Sequence, residues 1–310
     1  MKVEVVDLVR SFVHGVNAVD HVSFSLSSGE VIGFVGPNGA GKTTTMRIMA
    51  TLDEPDGGDV FLDGVSVLDD PDYAHRHIGF MPDALPDRSD TSVHEYIDFY
   101  ARAYGLRGRK LAAAVDEVEE FTGLGDFRFK TLRDLSKGMK QRVSLARALV
   151  HSPDFVIMDE PANGLDPRAR IELRELVKAL REDGKAILVS SHILSELEEM
   201  CTGTVILERG RRLDVPQPGE GSGPAARSVA IVRLLGKGAD EARAALAEIP
   251  SVKSATARGE DVRVEYEGGD EESAELLADF VSRGLKPVSF VPANGRLEDI
   301  YLSVTKGALA

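Results

Sequence analysis

Residues 1–213 are predicted to form an α/β fold, and a small α+β domain is predicted to follow, on three observations. Short apolar runs, such as residues 31–35 and 155–158, alternate with amphipathic runs, which is typical of strands and helices around a parallel sheet. A glycine-rich segment links the first apolar run to the next helix. Residues 214–227 are rich in Pro and Gly and are predicted to be a linker.

Length and charge limit the classes of protein to which the chain can belong. With 310 residues, of which 43% are hydrophobic, it is long enough for two domains with a core each. The 51 acidic and 37 basic residues leave a formal net charge of −14, which repels nucleic acids and anionic membranes at long range. We therefore expect no nucleic-acid partner, although local basic patches remain compatible with this charge.

The cysteine content bears on the redox compartment of the protein, and the hydropathy pattern bears on whether the chain contains a membrane-spanning helix. Cys201 is the single cysteine and has no internal disulfide partner, which fits a reducing compartment, and we expect it to be a small buried apolar side chain. No window approaches the roughly 18 uncharged apolar residues of a membrane helix. Any role at a membrane therefore requires a partner protein.

A phosphate-binding loop is predicted between the strand at residues 31–35 and a helix that starts at Lys42. The helix is indicated by the spacing of Met46, Met49 and Leu52. The loop fits the pattern G-x-x-x-x-G-K-[ST], and its residues are Gly36, Pro37, Asn38, Gly39, Ala40, Gly41, Lys42 and Thr43. The alternative is a plain glycine-rich turn, since the pattern arises by chance in roughly one chain in a hundred.

The residue types of this loop suit a nucleoside triphosphate. Glycines allow backbone N–H groups to turn towards phosphate oxygens, and the start of the helix adds a dipole that favours anions. Lys42 is expected to reach the β- and γ-phosphates, and the Thr43 hydroxyl is expected to bind Mg²⁺. Thr44 follows directly and is included among the predicted ATP-binding residues.

Two adjacent acids end the apolar run at residues 155–158. Ligands of parallel sheets bind at the carboxyl ends of the strands, so Asp159 is placed to hold Mg²⁺, directly or through water. Glu160 is one residue further and is predicted to be the general base that accepts a proton from the attacking water. The alternative for such a pair of acids is an ordinary solvated surface.

The next segments add a helix cap and a histidine. Asp166 is predicted to cap a helix whose first residue is Pro167. A strand at residues 186–190 then leads to Ser190, Ser191 and His192. Because this strand is expected to end at the same edge of the sheet, His192 is predicted to contact the γ-phosphate, although a lone histidine is more often a surface or core residue.

The order of these motifs resembles the ATP-binding cassette (ABC) ATPases. Residues 135–149, LSKGMKQRVSLARAL, are similar to the signature stretch that separates this family from other phosphate-loop ATPases. Leu135, Ser136 and Gly138 match the corresponding positions of that signature. Lys137 and Met139 stand where many members have glycine and glutamine, a form that the export-type branch often carries. The resemblance implies a P-loop NTPase cassette with a helical insertion at about residues 85–150, with ATP and Mg²⁺ as ligands.

The resemblance also implies a dimer, because one cassette does not close its own site. In the family, the signature of one subunit contacts the γ-phosphate that the other subunit holds. Ser136 and Gly138 are therefore expected to bind ATP in trans, and Asp166 is expected in the loop at the dimer interface. The second cassette is expected to be a copy of this chain.

Two further residues are assigned through the resemblance. Phe12 matches the position at which the family stacks an aromatic ring on adenine, and core packing is the alternative. Asp83 stands where the family usually has glutamine, which contacts Mg²⁺ and moves with the membrane partner. Aspartate still offers an oxygen ligand, so Asp83 is expected to contact the metal. The alternative is an acidic loop residue after Pro82.

A groove for a membrane partner is implied beside the helical insertion. The insertion is predicted to start with a helix that is capped by Thr91 or Ser92. The aromatic residues of this helix either line the groove or lie in the core, and the core is favoured for most of them; they are Tyr96, Phe99, Tyr100 and Tyr104.

Residues 228–310 are predicted to form an accessory domain with the order β-α-β-β-α-β. The strands are expected at 229–235, 252–257, 261–267 and 287–291, and the helices at 239–248 and 270–283. This order is compatible with a ferredoxin-like domain. Residues 295–307 are predicted to form a further amphipathic helix.

Two functions are compatible with these observations. The first is the ATPase subunit of an exporter, which binds a separate integral membrane permease and lies peripherally on the cytoplasmic face of the cell membrane. The alternative is a soluble, non-transport ABC ATPase that acts on ribosomes or DNA. Such relatives usually carry two cassettes, long coiled-coil insertions or zinc-binding cysteines, and the chain shows none of these patterns.

Overall fold

The computed structural model describes residues 1–12, 15–85, 90–213 and 227–292. The chain divides into two compact units, Met1–Asp214 and Val215–Ala310. The predicted linker at 214–227 and the predicted helix at 295–307 lie, apart from Arg227, outside the described residues. None of the described helices combines the length and the apolar composition that a bilayer span requires.

A six-stranded sheet forms the centre of the first unit. Its strands are β3 (Val31–Val35), β6 (Ile78–Met81), β7 (Phe155–Met158), β8 (Ala186–Ser191), β9 (Gly203–Glu208) and β10 (Arg211–Leu213). Their order is β10-β9-β3-β8-β7-β6, and all neighbours are parallel except β10, which pairs antiparallel with β9. The carboxyl ends of β3, β7 and β8 therefore lie side by side at one edge.

A second, antiparallel sheet packs against the first. Its strands are β1 (Lys2–Phe12), β2 (Val16–Ser27), β4 (Gly57–Leu62) and β5 (Val65–Ser66), in the order β2-β1-β4-β5. Phe24 of β2 and Phe34 of β3 have ring centroids 5.4 Å apart, and both side chains are buried in one core that the two sheets share. This core holds β3, whose carboxyl end leads into the phosphate loop, against the antiparallel sheet.

Seven α-helices are described in the first unit. They are α1 (Lys42–Met49), α2 (Pro71–His77), α3 (Val93–Ala103), α4 (Gly108–Phe121), α5 (Lys137–Leu149), α6 (Pro167–Glu182) and α7 (Leu194–Glu198). Ser92 caps α3 with a reciprocal hydrogen bond to Glu95, and Asp166 caps α6 ahead of Pro167. These two helix starts lie where the sequence predicts them.

The predicted apolar face of α1 is correct for two of its three residues. Met46 and Met49 are fully buried, but the helix ends at Met49, and Leu52 is 49% exposed. Thr51 has a φ of 58°, a left-handed conformation that turns the chain out of the helix before Leu52 is reached. The helical spacing therefore does not extend to Leu52.

The second unit has the predicted order of strands and helices. Its elements are β11 (Arg227–Leu234), α8 (Ala239–Ala247), β12 (Val252–Arg258), β13 (Asp261–Glu267), α9 (Asp270–Ser282) and β14 (Pro287–Pro292). The sheet order is β12-β13-β11-β14 and every pair is antiparallel, which is the ferredoxin-like arrangement. Val232, Val264 and Phe280 are fully buried between the sheet and the helices.

Two adjacent residues of α9 provide a test of this second core. Phe280 is fully buried, whereas Val281 is 58% exposed. We predict that Phe280→Ala destabilises the second unit by about 3–5 kcal/mol, since a large buried ring leaves a cavity, while Val281→Ala changes its stability by less than about 0.5 kcal/mol.

Hydrogen exchange of the amides at 227–292 in the full chain measures both effects. The first unit has its own core, so protection at residues 31–35 is expected to stay unchanged in both variants. Equal effects of the two substitutions would contradict the described packing.

Candidate active site

The phosphate loop is pressed tightly against neighbouring backbone. Gly41 has a φ of +101°, and a Cβ at this position would lie 2.1 Å from the carbonyl oxygen of Ala18. A Cβ on Gly36 would lie 2.4 Å from the carbonyl oxygen of Leu207. Space therefore requires a glycine at both positions, and at Gly41 the backbone conformation requires it as well.

Lys42 folds back over the loop that precedes it. The side chain is 6% exposed, and its Nζ donates hydrogen bonds to the carbonyl oxygens of Gly36, at 2.6 Å, and Pro37, at 3.4 Å. The ammonium group thus sits inside the loop, where the predicted phosphates would be bound. Thr43 is exposed and Thr44 is half-buried, in the first turn of α1.

Glu160, the predicted base, contacts both Lys42 of the phosphate loop and His192. Its Oε1 lies 3.7 Å from Nζ of Lys42, and its Oε2 lies 2.8 Å from Nδ1 of His192. The predicted lysine, glutamate and histidine, which come from three segments of the sequence, therefore form one cluster. The contact between His192 and the carboxylate of Glu160 is not predicted from the sequence, which predicts a contact of His192 with the γ-phosphate.

The backbone of Glu160 adopts a strained conformation. Its φ is +49°, in the left-handed region that residues with a Cβ avoid. Asp159 precedes it and is 4% exposed; its Oδ1 accepts a hydrogen bond from Oγ of Ser190 at 2.8 Å. The same Ser190 oxygen accepts a hydrogen bond from the Glu160 N–H at 2.8 Å. Ser190 is therefore a site residue, and no role for its side chain is predicted from the sequence.

The signature residues lie at the start of α5. Ser136 caps this helix, and its Oγ accepts a hydrogen bond from the Met139 N–H at 3.3 Å. Ser136 is exposed and Gly138 is half-buried. Among the described residues, no hydrogen bond or ion pair joins either of them to the phosphate loop of the same chain.

Asp83 is linked to two neighbouring segments. Its Oδ1 lies 3.5 Å from Nδ2 of Asn163, in the loop that leads to Asp166. Its carbonyl oxygen accepts a hydrogen bond from Nε2 of Gln141 in α5 at 3.3 Å. The signal for Asn163 was present in the sequence, since an amide two residues beyond Pro161 lies close to the carboxyl end of β7.

Phe12, the predicted adenine-stacking residue, lies at the end of β1. Its side chain is 52% exposed, which excludes core packing, the alternative interpretation. The guanidinium carbon of Arg10 lies 5.6 Å from the ring centroid. The aromatic face is therefore on the surface, where a nucleotide base has access to it.

A groove runs between α1, α3 and α5. It has a volume of about 570 Å³, and Leu52, Tyr100, Tyr104 and Arg147 are among its lining residues. The expectation that most aromatic residues of α3 lie in the core is wrong, because only Tyr96 is buried while Phe99 is 63% exposed. Tyr100 and Tyr104 line the groove because α3 turns this side towards α1 rather than towards the core.

One wall of the groove is fixed by a neutral histidine. His151 stacks on the ring of Tyr104, with centroids 3.7 Å apart, and its Nε2 lies 3.0 Å from the carbonyl oxygen of Ile78. Burial lowers the pKa of His151 to about 4. The imidazole is therefore neutral at pH 7, and its N–H donates to the carbonyl.

Both a family model and curated proteins are similar to this chain. A family model described as ABC transporter matches residues 19–163. The ABC transporter ATP-binding protein YxlF of Bacillus subtilis is 33% identical over 297 residues, which are 96% of this chain and 97% of YxlF. The Nod factor export ATP-binding protein I of Cupriavidus metallidurans is 33% identical over 287 residues, with 93% and 92% covered.

Solved structures match about two thirds of the chain. The ATP-binding cassette MJ0796, determined as a dimer in a post-hydrolysis state with ADP and Pi, has a TM-score of 0.62 and 25% identity. The match covers 68% of this chain and 97% of MJ0796. CbiO1 of Clostridium perfringens, part of the ABC transporter complex cbiONQ, also gives 0.62 and 25%, over 68% of this chain and 86% of CbiO1.

The tight fit of Gly41 leads to a prediction about nucleotide binding. Gly41→Ala forces a Cβ into a carbonyl oxygen and a left-handed backbone, so we expect ATP to bind about tenfold more weakly or worse. Titration with a fluorescent ATP analogue measures this affinity. Gly125→Ala is the control, since a Cβ there meets nothing within 4 Å. Unchanged affinity in Gly41→Ala would show that the loop does not bind the phosphates.

Proposed function

The chain belongs to the ABC transporter ATP-binding proteins, an ATPase family, and from this premise we propose that it powers a separate membrane-spanning exporter. The proposal has three parts: this chain's own residues hydrolyse ATP, two copies of the chain close around the nucleotides, and a permease binds the groove. The observation that carries it is the position of the Glu160 carboxylate between Lys42 and His192.

ATP is assigned to the phosphate loop and the surface beside it. Backbone N–H groups of residues 38–43 and the Lys42 ammonium bind the β- and γ-phosphates, and Phe12 stacks on the base. The residues also fit Mg²⁺, because a hydroxyl and a carboxylate from Thr43 and Asp159 are the oxygen ligands that this ion takes beside phosphates. Mg²⁺ supplies charge neutralisation of the phosphate oxygens. Asp83 is the third proposed oxygen ligand.

Hydrolysis requires a base and groups that orient it. Glu160 accepts a proton from the water that attacks the γ-phosphorus, and the bond to the leaving ADP oxygen breaks. His192 contacts one carboxylate oxygen of Glu160 and thereby fixes the orientation of the base. When the nucleotide is bound, His192 contacts the γ-phosphate. Lys42 neutralises negative charge on the transferring phosphoryl group.

The dimer is supported by the location of the signature. Ser136 is exposed at a helix start, where an anion can bind. Among the described residues, no hydrogen bond joins it to the phosphate loop of its own chain. We propose that Ser136 and Gly138 close on the γ-phosphate of a second copy, with Asp166 in the same interface. MJ0796, a related cassette, was solved as a dimer with ADP and Pi.

The membrane partner is assigned to the groove between α1, α3 and α5. Tyr100 and Tyr104 offer partly exposed aromatic surface, which suits an amphipathic helix of a permease. CbiO1 is part of a transporter complex, and another relative carries the name of an export protein. These names support association with a membrane transporter and an export-type function, for which we propose a peripheral location on the cytoplasmic face of the membrane.

The alternative, a non-transport ATPase on ribosomes or DNA, is less favoured by the net charge of −14 and by relatives named as transporter proteins. Affinity purification from membranes distinguishes the two. A co-purifying hydrophobic protein that is lost in Tyr100→Ala supports the exporter, whereas co-purifying ribosomal or nucleoid proteins support the alternative.

The assignment of the base is tested by Glu160→Gln. This variant keeps the shape of the side chain but cannot accept the proton, so kcat is expected to fall by about 10²- to 10⁴-fold while ATP binding is retained. Because ATP then persists, dimers are expected to accumulate in size-exclusion chromatography with ATP and Mg²⁺.

Glu175→Gln is the matched control, because Glu175 is an exposed carboxylate whose ion pair is with Lys178 on the same helix. Its turnover is expected to equal that of the unaltered protein. Normal turnover in Glu160→Gln would remove Glu160 as the base, and a strictly monomeric variant at saturating ATP would contradict the dimer.

The proposed metal contact of Asp83 leads to a further prediction. Asp83→Ala is expected to lower Mg²⁺-dependent turnover about tenfold and to leave Mg²⁺-free nucleotide binding nearly unchanged. Asp90→Ala is the control, since this exposed carboxylate pairs with Arg133. Equal losses in both measurements for Asp83→Ala would show that the side chain supports the loop rather than the metal.

A further inference from the structure

Ser190 lies at the carboxyl end of β8, directly beside the two acids that follow β7. Its side chain is fully buried. Its Oγ donates a hydrogen bond to Oδ1 of Asp159 and accepts one from the backbone N–H of Glu160, each at 2.8 Å. One hydroxyl group therefore contacts both of the acids to which metal binding and proton transfer are assigned.

We propose that Ser190 is a positioning residue of the ATPase reaction, which holds Asp159 and Glu160 in the geometry that turnover requires. The inference rests on the proposed roles of these two acids. It adds a residue that contacts neither the nucleotide nor the water but determines where both carboxylates point.

The first effect concerns the backbone of Glu160. A φ of +49° is costly for a residue with a Cβ, and such strain persists only where the surroundings impose it. The hydrogen bond from the Glu160 N–H to a fully buried oxygen opposes relaxation, because turning the peptide away would leave this group without its partner. The strained conformation directs the carboxylate to Lys42 on one side and His192 on the other.

The second effect concerns the carboxylate of Asp159. The Ser190 hydroxyl donates to Oδ1 at 2.8 Å, and hydrogen bonds to a carboxylate are stronger than those between neutral groups. It fixes the rotation of the carboxylate and leaves Oδ2 for a cation. A freely rotating carboxylate would have to be ordered each time an ion is bound, at an entropic cost.

The register of the sheet explains why Ser190 and not its neighbour has this role. Met158 of β7 pairs with Val189 of β8, so the next residues, Asp159 and Ser190, lie side by side. Ser191 points to the opposite face of the strand. Its Oγ donates to Oε2 of Glu196 at 3.2 Å and accepts from the Ile193 N–H at 3.0 Å, away from both acids.

The experiment compares Ser190→Ala, Ser190→Thr and Ser191→Ala in the full chain. Removal of the hydroxyl is expected to lower kcat about 10- to 100-fold, as is found for residues that orient metal ligands. The KM for ATP and Mg²⁺-free ATP binding are expected to stay within about twofold, since the phosphate loop is untouched. The Mg²⁺ concentration for half-maximal turnover is expected to rise.

Ser190→Thr retains the hydroxyl and is expected to restore most of kcat and the Mg²⁺ requirement. Ser191→Ala is the control for loss of a buried serine at the same strand end, and its turnover is expected to match the unaltered protein. Thermal unfolding of each variant is followed in parallel. If Ser190→Ala fails to fold, Ser190→Cys, which has a weaker hydrogen-bonding group of similar size, is measured instead.

The inference is overturned if the hydroxyl-free variant keeps a normal kcat and Mg²⁺ requirement, or if Ser190→Thr is as slow as Ser190→Ala. A loss of kcat that is accompanied by equally weak Mg²⁺-free ATP binding also overturns it, since this is a general loss of structure. Glu160→Gln is measured in parallel to separate the two proposals. Normal turnover in this variant would contradict the role of Glu160 as the base, independently of the result for the Ser190 variants.

Discussion

The pairing of parallel strands β3, β7 and β8 is the constraint on which the rest of the site depends. These strands end at one edge of the six-stranded sheet, so Lys42, Glu160 and His192 meet although up to 150 residues separate them. The strands are almost entirely buried and carry no charged side chains, so the core favours one alignment of all three. A slip of one residue between β7 and β8 would turn Ser190 away from the acids.

Strain and close packing are concentrated at this edge. Gly41 adopts a left-handed backbone against Ala18, and Glu160 adopts one despite its Cβ. The Glu160 conformation costs free energy, which burial elsewhere in the first unit offsets, whereas glycine adopts a left-handed backbone at little cost. The result is a site whose charged groups are oriented by neighbouring backbone and hydroxyl groups. Such preorganisation is what electrostatic stabilisation of a transition state requires.

The ATPase site and the groove are joined through Asp83 and α5. Asp83 contacts Asn163 near the acids of β7 and Gln141 on α5, and α5 also carries Arg147, which lines the groove. A movement of α5 relative to the sheet would therefore alter contacts at both places. This is a physical route by which the proposed permease in the groove and the proposed nucleotide at the loop would influence each other.

The sequence by itself determined most elements and predicted the residues of the candidate site. Periodicity, caps and the phosphate-loop pattern predicted β3, α6 and all six elements of the second unit, because these signals act over a few neighbouring residues. The sequence predictions were wrong where tertiary packing determines which side chains are buried. Leu52 lies beyond the end of α1 and is exposed, and Tyr100 and Tyr104 line a groove instead of the core.

Only the tertiary structure decided which distant groups contact each other. The hydrogen bonds of Ser190 with Asp159 and Glu160, and the contact between Glu160 and His192, depend on the register of adjacent strands to within one residue. Local sequence does not specify that register, because it is set by how the whole buried core packs.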